Sequence, residues 1–381
     1  MENMSEKLNI YMHVAENSGV GYYRQYLPAV TLRDTGMAEV RINDFRWGEG
    51  NHVEVTERVF FETCNWADLI VVGRMDSPEY YAKWGAAKEF FNIPIVLDTD
   101  DYVQHVRPTN PGYQGYHPGS DALIWNERAL KQFDALTVST ENLREYYLRK
   151  NPRIYTLPNC LDIADYNKYQ RQPSERIKMT FFCSGSHSEG FGLIIKPVYD
   201  ILKKYKHVDF YYPDMYWRLF QNAPEEIKGQ LKNLKWIPLK EWNKFLVENA
   251  FDISLAPLRD NFFNRGKSNL RFIEFSVAGT ASVLSPVAPY LKMKEGVEGF
   301  FATEPQEWYN AIEKLLDKKT RDTIAANAKR MVDEKFDIVK NIHLWDNAYK
   351  EVYRKFHDFY GRKKTFISWD KGKYRELKPF Y

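Results

Sequence analysis

Three carboxylates fall within four positions at Asp98, Asp100 and Asp101, and His105 follows four residues later. Acids and an imidazole this close can take a proton from an attacking hydroxyl. Asp98 and Asp100 also have the Asp-x-Asp spacing that holds a hard divalent cation with several waters retained. A third use of the cluster is to cap the following segment. The second half of the chain carries the opposite sign: Arg259, Arg265 and Lys267 crowd one loop, a helical pattern opens near Ser268, and Glu274 lies six residues beyond. Cations beside free N–H groups at a helix start suit a diphosphate, and an acid nearly two turns on can accept both hydroxyls of a ribose.

Two small-residue loops complete the set. Ser18-Gly19-Val20-Gly21-Tyr22-Tyr23-Arg24 follows the first apolar run, and Gly19 and Gly21 let the backbone turn sharply toward a ligand. Arg24 occupies the place where a nicotinamide-cofactor fingerprint has its third glycine, which argues against a nicotinamide-dependent oxidoreductase. Ser184, Gly185 and Ser186 follow a second apolar run, and such a loop can offer several N–H and O–H groups to a diphosphate. The bland alternatives are an ordinary tight turn for the first loop and a polar connection for the second.

These residues need a frame, and short apolar runs alternating with amphipathic stretches supply it. Strands are expected at 8–14, 39–45, 67–74, 93–98, 134–139 and 153–157, with helical patterns at 77–91 and 121–132 between them. The run 93–98 has the continuous apolar character of a buried parallel strand, which places the acids at its carboxyl end, where open α/β sheets bind ligands. A polar stretch at 162–173 reads as a linker. Strands then resume at 178–183, 208–212, 234–237, 252–257, 282–284 and 299–302, and helices follow at 321–335 and 341–357. The expected fold is α/β, with two Rossmann-like domains facing across a cleft. Residues 1–165 are expected to form the first domain, 174–340 the second, and 341–381 a C-terminal helix and basic aromatic tail.

The bulk numbers agree with a folded two-domain protein. The chain has 381 residues, 44% hydrophobic and 28% charged, too long for one core and too apolar for disorder. No run suits a membrane span and the start lacks a secretion pattern, so the expected location is the cytoplasm. Cys64, Cys160 and Cys183 are widely spaced and without histidine at ligand spacing, which favours reduced buried thiols. A net charge of +3 conceals an asymmetry, because residues 361–381 carry seven cations against two acids. Such a tail suits a polyanion through cations and stacked rings, or else forms a solvated tail or a strap across the domains.

The order Asn264-x-x-Lys267-Ser268, then Glu274, then Gly279-Thr280 closely resembles the donor-binding segment of the large glycosyltransferase family with two Rossmann-like domains (the GT-B fold) that holds sucrose and mannosyl transferases. The run Ser18 to Arg24, the pair Asp100-Asp101, Val138-Ser139-Thr140 and Leu157-Pro158-Asn159 match in order as well. The resemblance implies a nucleoside diphosphate sugar as donor, with a UDP-sugar the first choice and no required metal, and it makes 174–340 the nucleotide-sugar-binding domain and 1–165 the acceptor-binding domain. It implies that Ser184, Gly185, Ser186, Gly19, Gly21, Arg259, Asn264, Lys267 and Ser268 serve the donor, that Glu274 holds its ribose, and that the backbone at Ile237 faces the base. Tyr22, Tyr23 and Arg24 then meet the acceptor, and Asp101, Asp100, Asp98 or His105 acts as base, with Asp101 ranked first. The family's retaining members usually carry a Glu where Gly266 stands, which leaves retention and inversion both open. The sequence is also similar to virus-encoded and surface-polysaccharide transferases. Viral relatives that glycosylate hydroxymethylated bases in DNA make double-stranded modified DNA the first acceptor considered. A bacteriophage origin would place the protein in the host cytoplasm. A polysaccharide, glycolipid or protein acceptor is the alternative, and an inactive nucleotide-sugar or glycan-binding protein the second.

Overall fold

The computed structural model describes residues 7–14, 18–43, 56–172, 174–183, 188–361, 364–370 and 373–377. Contacts divide the chain into two units that are not contiguous in sequence. The first takes residues 1–104, 115–159 and 338–381, and the second takes 105–114 and 160–337.

The first unit is built on six parallel strands: β1 (Asn9–His13), β2 (Glu39–Ile42), β3 (Leu69–Val72), β4 (Ile95–Thr99), β5 (Ala135–Val138) and β6 (Ile154–Thr156), in the order β2-β1-β3-β4-β5-β6. β3 and β4 are buried at every position, as strands covered on both faces must be. Their crossover is the helix Pro78–Phe91, started by Ser77, whose side chain accepts from the Tyr80 amide, and stopped by Asn92 in the left-handed conformation. The helix Asp121–Gln132 is capped in the same way by Ser120.

The second unit repeats the plan with β7 (Ile177–Thr180), β8 (Val208–Pro213), β9 (Leu231–Leu234), β10 (Ile253–Ala256), β11 (Ala281–Leu284) and β12 (Phe300–Phe301). Their order is β12-β11-β10-β7-β8-β9, which counted from β7 is the 3-2-1-4-5-6 pattern read from its far edge, with the strand order reversing between the parallel neighbours β7 and β10. Its core joins Met179, Phe181, Phe210, Leu255, Val283 and Trp308. The α/β expectation holds, and each strand read from sequence has a counterpart. The run expected at 234–237 is displaced, because β9 ends at Leu234 and Trp236 lies outside the sheet. The expected linker also contains a helical turn, Ile163–Tyr166, capped by Asp162.

Residues 366–370 and 373–377 pair as an antiparallel hairpin, β13 (Phe366–Asp370) and β14 (Lys373–Leu377). The Ile367 amide donates to Asn65 Oδ1 at 2.9 Å, Asn65 Nδ2 returns a bond to the Ile367 carbonyl at 2.6 Å, and the Thr365 amide donates to the Phe91 carbonyl. The tail is therefore a strap on the first unit. Among the described residues no helix is long and apolar enough to cross a membrane.

Candidate functional site

In the first unit the acids meet three different environments. β4 runs one residue further than the sequence pattern implies, so Asp98 is an interior strand residue, paired in register with Thr137. It is 3% exposed and accepts from Arg24 Nε at 3.0 Å, Arg24 Nη2 at 2.7 Å and Thr137 Oγ1 at 2.7 Å. Arg24 is as deeply buried and also donates to Asn159 Oδ1 and the Leu157 carbonyl. Burial works against the charge on Arg24, but the Asp98 contact outweighs it and raises the guanidinium's pKa. Asp98, expected as a base, and Arg24, expected as an acceptor contact, each engage their polar atoms in tying the π-type turn, β4 and the segment 157–159 together.

Arg24 reaches inward because it lies in a widened, π-type turn, Tyr22–Tyr26, a feature often found near functional sites. Ser18 caps the short turn before it, Gly19–Gly21. Gly21 and Tyr23 are buried, whereas Tyr22 is half-buried and stacks on Tyr26 at 5.9 Å. Of the three expected acceptor contacts, Tyr22 alone keeps an accessible ring.

Asp100 accepts from Arg74 Nη2 at 3.2 Å, and Arg74 lies over the Tyr116 ring. Asp101 is half-buried, and its carbonyl accepts from the Tyr147 hydroxyl. His13, at the end of β1, is a buried imidazole between Tyr80 and Trp84 that the search for motifs passed over. Its signal was a lone histidine closing a strand. His105 belongs to the second unit, its ring 4.5 Å from Phe262.

In the second unit the loops after β7 and β10 are packed against each other. Ser184, Gly185 and Ser186 lie outside the described residues. The turn Ser188–Phe191 follows them, and a Cβ on Gly190 would stand 2.4 Å from the Pro257 carbonyl oxygen, so a glycine is needed there. Arg259 Nε donates to the Glu189 carbonyl at 3.0 Å, and the Glu189 carboxylate is gripped by Arg107, Thr109 and Asn261. Asn261 caps the turn Phe262–Arg265. Asn264 is buried and donates to the Arg259 carbonyl, which fixes the loop's shape rather than offering the amide outward. Arg265 is exposed and forms two bonds with Asp260, lowering that acid's pKa.

Lys267 is 8% exposed with its ammonium 4.6 Å from the Phe263 ring centre. Ser268 is half-buried just ahead of the helix Leu270–Val277. Glu274, on that helix, is 9% exposed, and its Oε1 accepts from Trp242 Nε1 at 2.8 Å. Trp242 packs on Phe182 at 4.7 Å. This indole partner was missed in the sequence, since nothing local couples positions 32 residues apart. Gly279, at φ +78°, and buried Thr280 end the helix, Thr280 donating to the Phe251 carbonyl. Ile237 is half-buried between β9 and the helix Leu239–Asn249, beside Trp236, which is 80% exposed.

A buried acid, a buried lysine and a pair of loops thus gather at the carboxyl edge of β7 and β10, where the strand order of the sheet reverses. No protein-family model matches the chain, and no curated protein matches it in sequence. Solved structures do. Sucrose-phosphate synthase from Thermosynechococcus elongatus is similar over 92% of this chain and 100% of its own, with a TM-score of 0.64 at 12% identity. HepE from Anabaena, in complex with UDP-glucose, is similar over 93% and 99%, with a TM-score of 0.60 at 15% identity. A glycosyltransferase from Rickettsia africae gives 92% and 98%, 0.60 and 12%. The chain therefore has the GT-B fold, two Rossmann-like α/β units, as these glycosyltransferases do.

Proposed function

We propose that this protein is a glycosyltransferase that moves a sugar from a nucleoside diphosphate sugar, a UDP-sugar first, to an acceptor hydroxyl. The donor is assigned to the second unit, residues 160–337 in the main, and the acceptor to the first. The observation that carries this is Glu274, buried beside the sheet's reversal point and aimed by Trp242, with Lys267 seven residues before it. A nucleotide sugar asks for that pairing of an acid for ribose with a cation for diphosphate. HepE, of the same fold, is seen with UDP-glucose.

In the transfer the bond from the sugar's C1 to the diphosphate oxygen breaks, and its electron pair leaves with the diphosphate. Lys267 offsets that charge. The acceptor oxygen bonds to C1 and its proton passes to Asp101, while Arg74 holds Asp100 in place. Asp98 serves by orientation through Arg24.

The acceptor we assign is a hydroxymethylated base in double-stranded DNA. What supports it is the concentration of cations in residues 361–381, on a strap of the acceptor unit. The test incubates the protein with a panel of nucleotide sugars and hydroxymethylated DNA beside unmodified DNA, polysaccharide, glycolipid and peptide, reading products by mass spectrometry. Sugar on hydroxymethylated DNA alone is expected. Sugar on a glycan or peptide would replace the acceptor, and nucleotide binding without turnover on any acceptor would make the chain a binding protein. Lys267→Ala should lower turnover of whichever donor is used by about 10²–10³-fold.

A further inference from the structure

Arg271 stands in the first turn of the helix Leu270–Val277, between Lys267 and Glu274. Other arginines here spend their donors on carboxylates: Arg24 on Asp98, Arg74 on Asp100, Arg176 on Asp209 and Arg265 on Asp260. Arg271 does not. Its Nη1 is buried without a hydrogen-bond partner among the described residues, and its guanidinium lies 5.8 Å from the centre of the Phe181 ring. The residue is half-buried, and a buried donor left without an acceptor is costly, so a fold that keeps one has a use for it.

Its surroundings say where that use is. Burial raises the pKa values of Cys183, Tyr216 and Tyr290, and the charge of Arg271 opposes the rise at all three. Lys267 acts on Cys183 in the same sense. Cys183 is the last described residue before the loop after β7, and its thiol is 3.2 Å from the Tyr216 hydroxyl. Both cations therefore act at the carboxyl end of β7, with the amino end of an eight-residue helix adding its dipole. A planar guanidinium with donors to spare matches phosphate oxygens, which accept two parallel bonds.

We infer that Arg271 is a phosphate-binding residue, donating to the diphosphate of the donor and taking up part of the charge that reaches it as the C1–O bond breaks. It transfers no proton; the leaving electron pair stays on the diphosphate oxygen. The inference rests on the donor reading of the second unit and adds to it the residue that makes the diphosphate, rather than the nucleoside, the anchor.

The test is calorimetric, with the full chain, UDP, GDP and ADP, their nucleosides, and inorganic diphosphate. Arg271→Gln should weaken the bound nucleoside diphosphate by about tenfold to a hundredfold, leave the matching nucleoside unchanged, and abolish competition by inorganic diphosphate. Arg271→Lys should recover part of the loss, and it carries the test alone if the glutamine variant does not fold. Equal loss for nucleoside and nucleoside diphosphate, or no loss for either, would overturn the inference while leaving the donor reading intact. If the wild-type chain binds inorganic diphosphate in an Arg271-dependent way but no nucleotide, the donor reading falls and the phosphate role stands. If it binds neither, both fall.

Discussion

The two units share a plan, six parallel strands with helical crossovers, yet they treat charge in opposite ways. In the first, Arg24 and Asp98 are both buried and cancel each other, with Thr137, Asn159 and the Leu157 carbonyl filling the remaining positions. In the second, Arg271 keeps a buried Nη1 without a hydrogen-bond partner among the described residues, Lys267 lies over an aromatic ring, and the acid on the same helix accepts from an indole. A closed pair makes a scaffold, because its electrostatic demand is met within the protein. A buried donor left open favours a site, because a ligand can meet that demand.

The largest effect should come from opening the closed pair. Arg24→Met or Asp98→Leu alone leaves an uncompensated buried charge and should cost about 3–5 kcal/mol in denaturant unfolding. The double variant should cost far less than the two together. Additive losses would show that the pair is not a unit.

Next in size is the buried lysine of the second unit. Lys267→Ala should lower transfer by about 10²–10³-fold in kcat, on the scale of removing one group that stabilises a leaving charge. Its unfolding midpoint should stay near wild type. A large stability loss would make Lys267 a structural residue like Arg24 and erase the contrast between the units.

Gly190→Ala tests how the open loops are held. The added methyl meets the Pro257 carbonyl and should cost about 1–3 kcal/mol by overpacking, with weaker nucleotide binding. Unchanged binding would separate loop packing from the site.

The smallest effect lies on the surface of the second unit. Hydrogen bonds from Tyr205, Lys204 and Tyr309 hold the Glu313 carboxyl down to about 2. An acid depressed in the folded state contributes stability above its ordinary value of 4.5 and loses it as pH falls toward about 2. Glu313→Gln should therefore flatten the fall in unfolding free energy across that window, slightly, since the group is solvated. An identical pH profile would mean that the cluster contributes nothing.

Much of the frame was legible. Fully buried parallel strands such as Leu69–Val72 and Ile253–Ala256 announce themselves as unbroken apolar runs, and Ser77, Ser120 and Thr140 mark helix starts by type alone. The order Lys267, Ser268, Glu274, Gly279, Thr280 lies on one loop and one helix, so local spacing carries it. The hairpin Phe366–Asp370 with Lys373–Leu377 was not legible, since its anchor on Asn65 is about 300 residues away in the chain.

Sequence by itself determined the α/β class, the strand positions to within a few residues, and the segment in which acid and cations sit together. Those properties follow from periodicity and residue type, which act over a few residues. Tertiary structure alone decided which charges are spent and which are kept: Asp98 is closed off by Arg24 74 residues away, Glu274 is aimed by Trp242 32 residues away, and the Nη1 of Arg271 is left without a hydrogen-bond partner among the described residues. Pairing depends on distance and burial in space, and the spacing of charged residues along the chain contains neither.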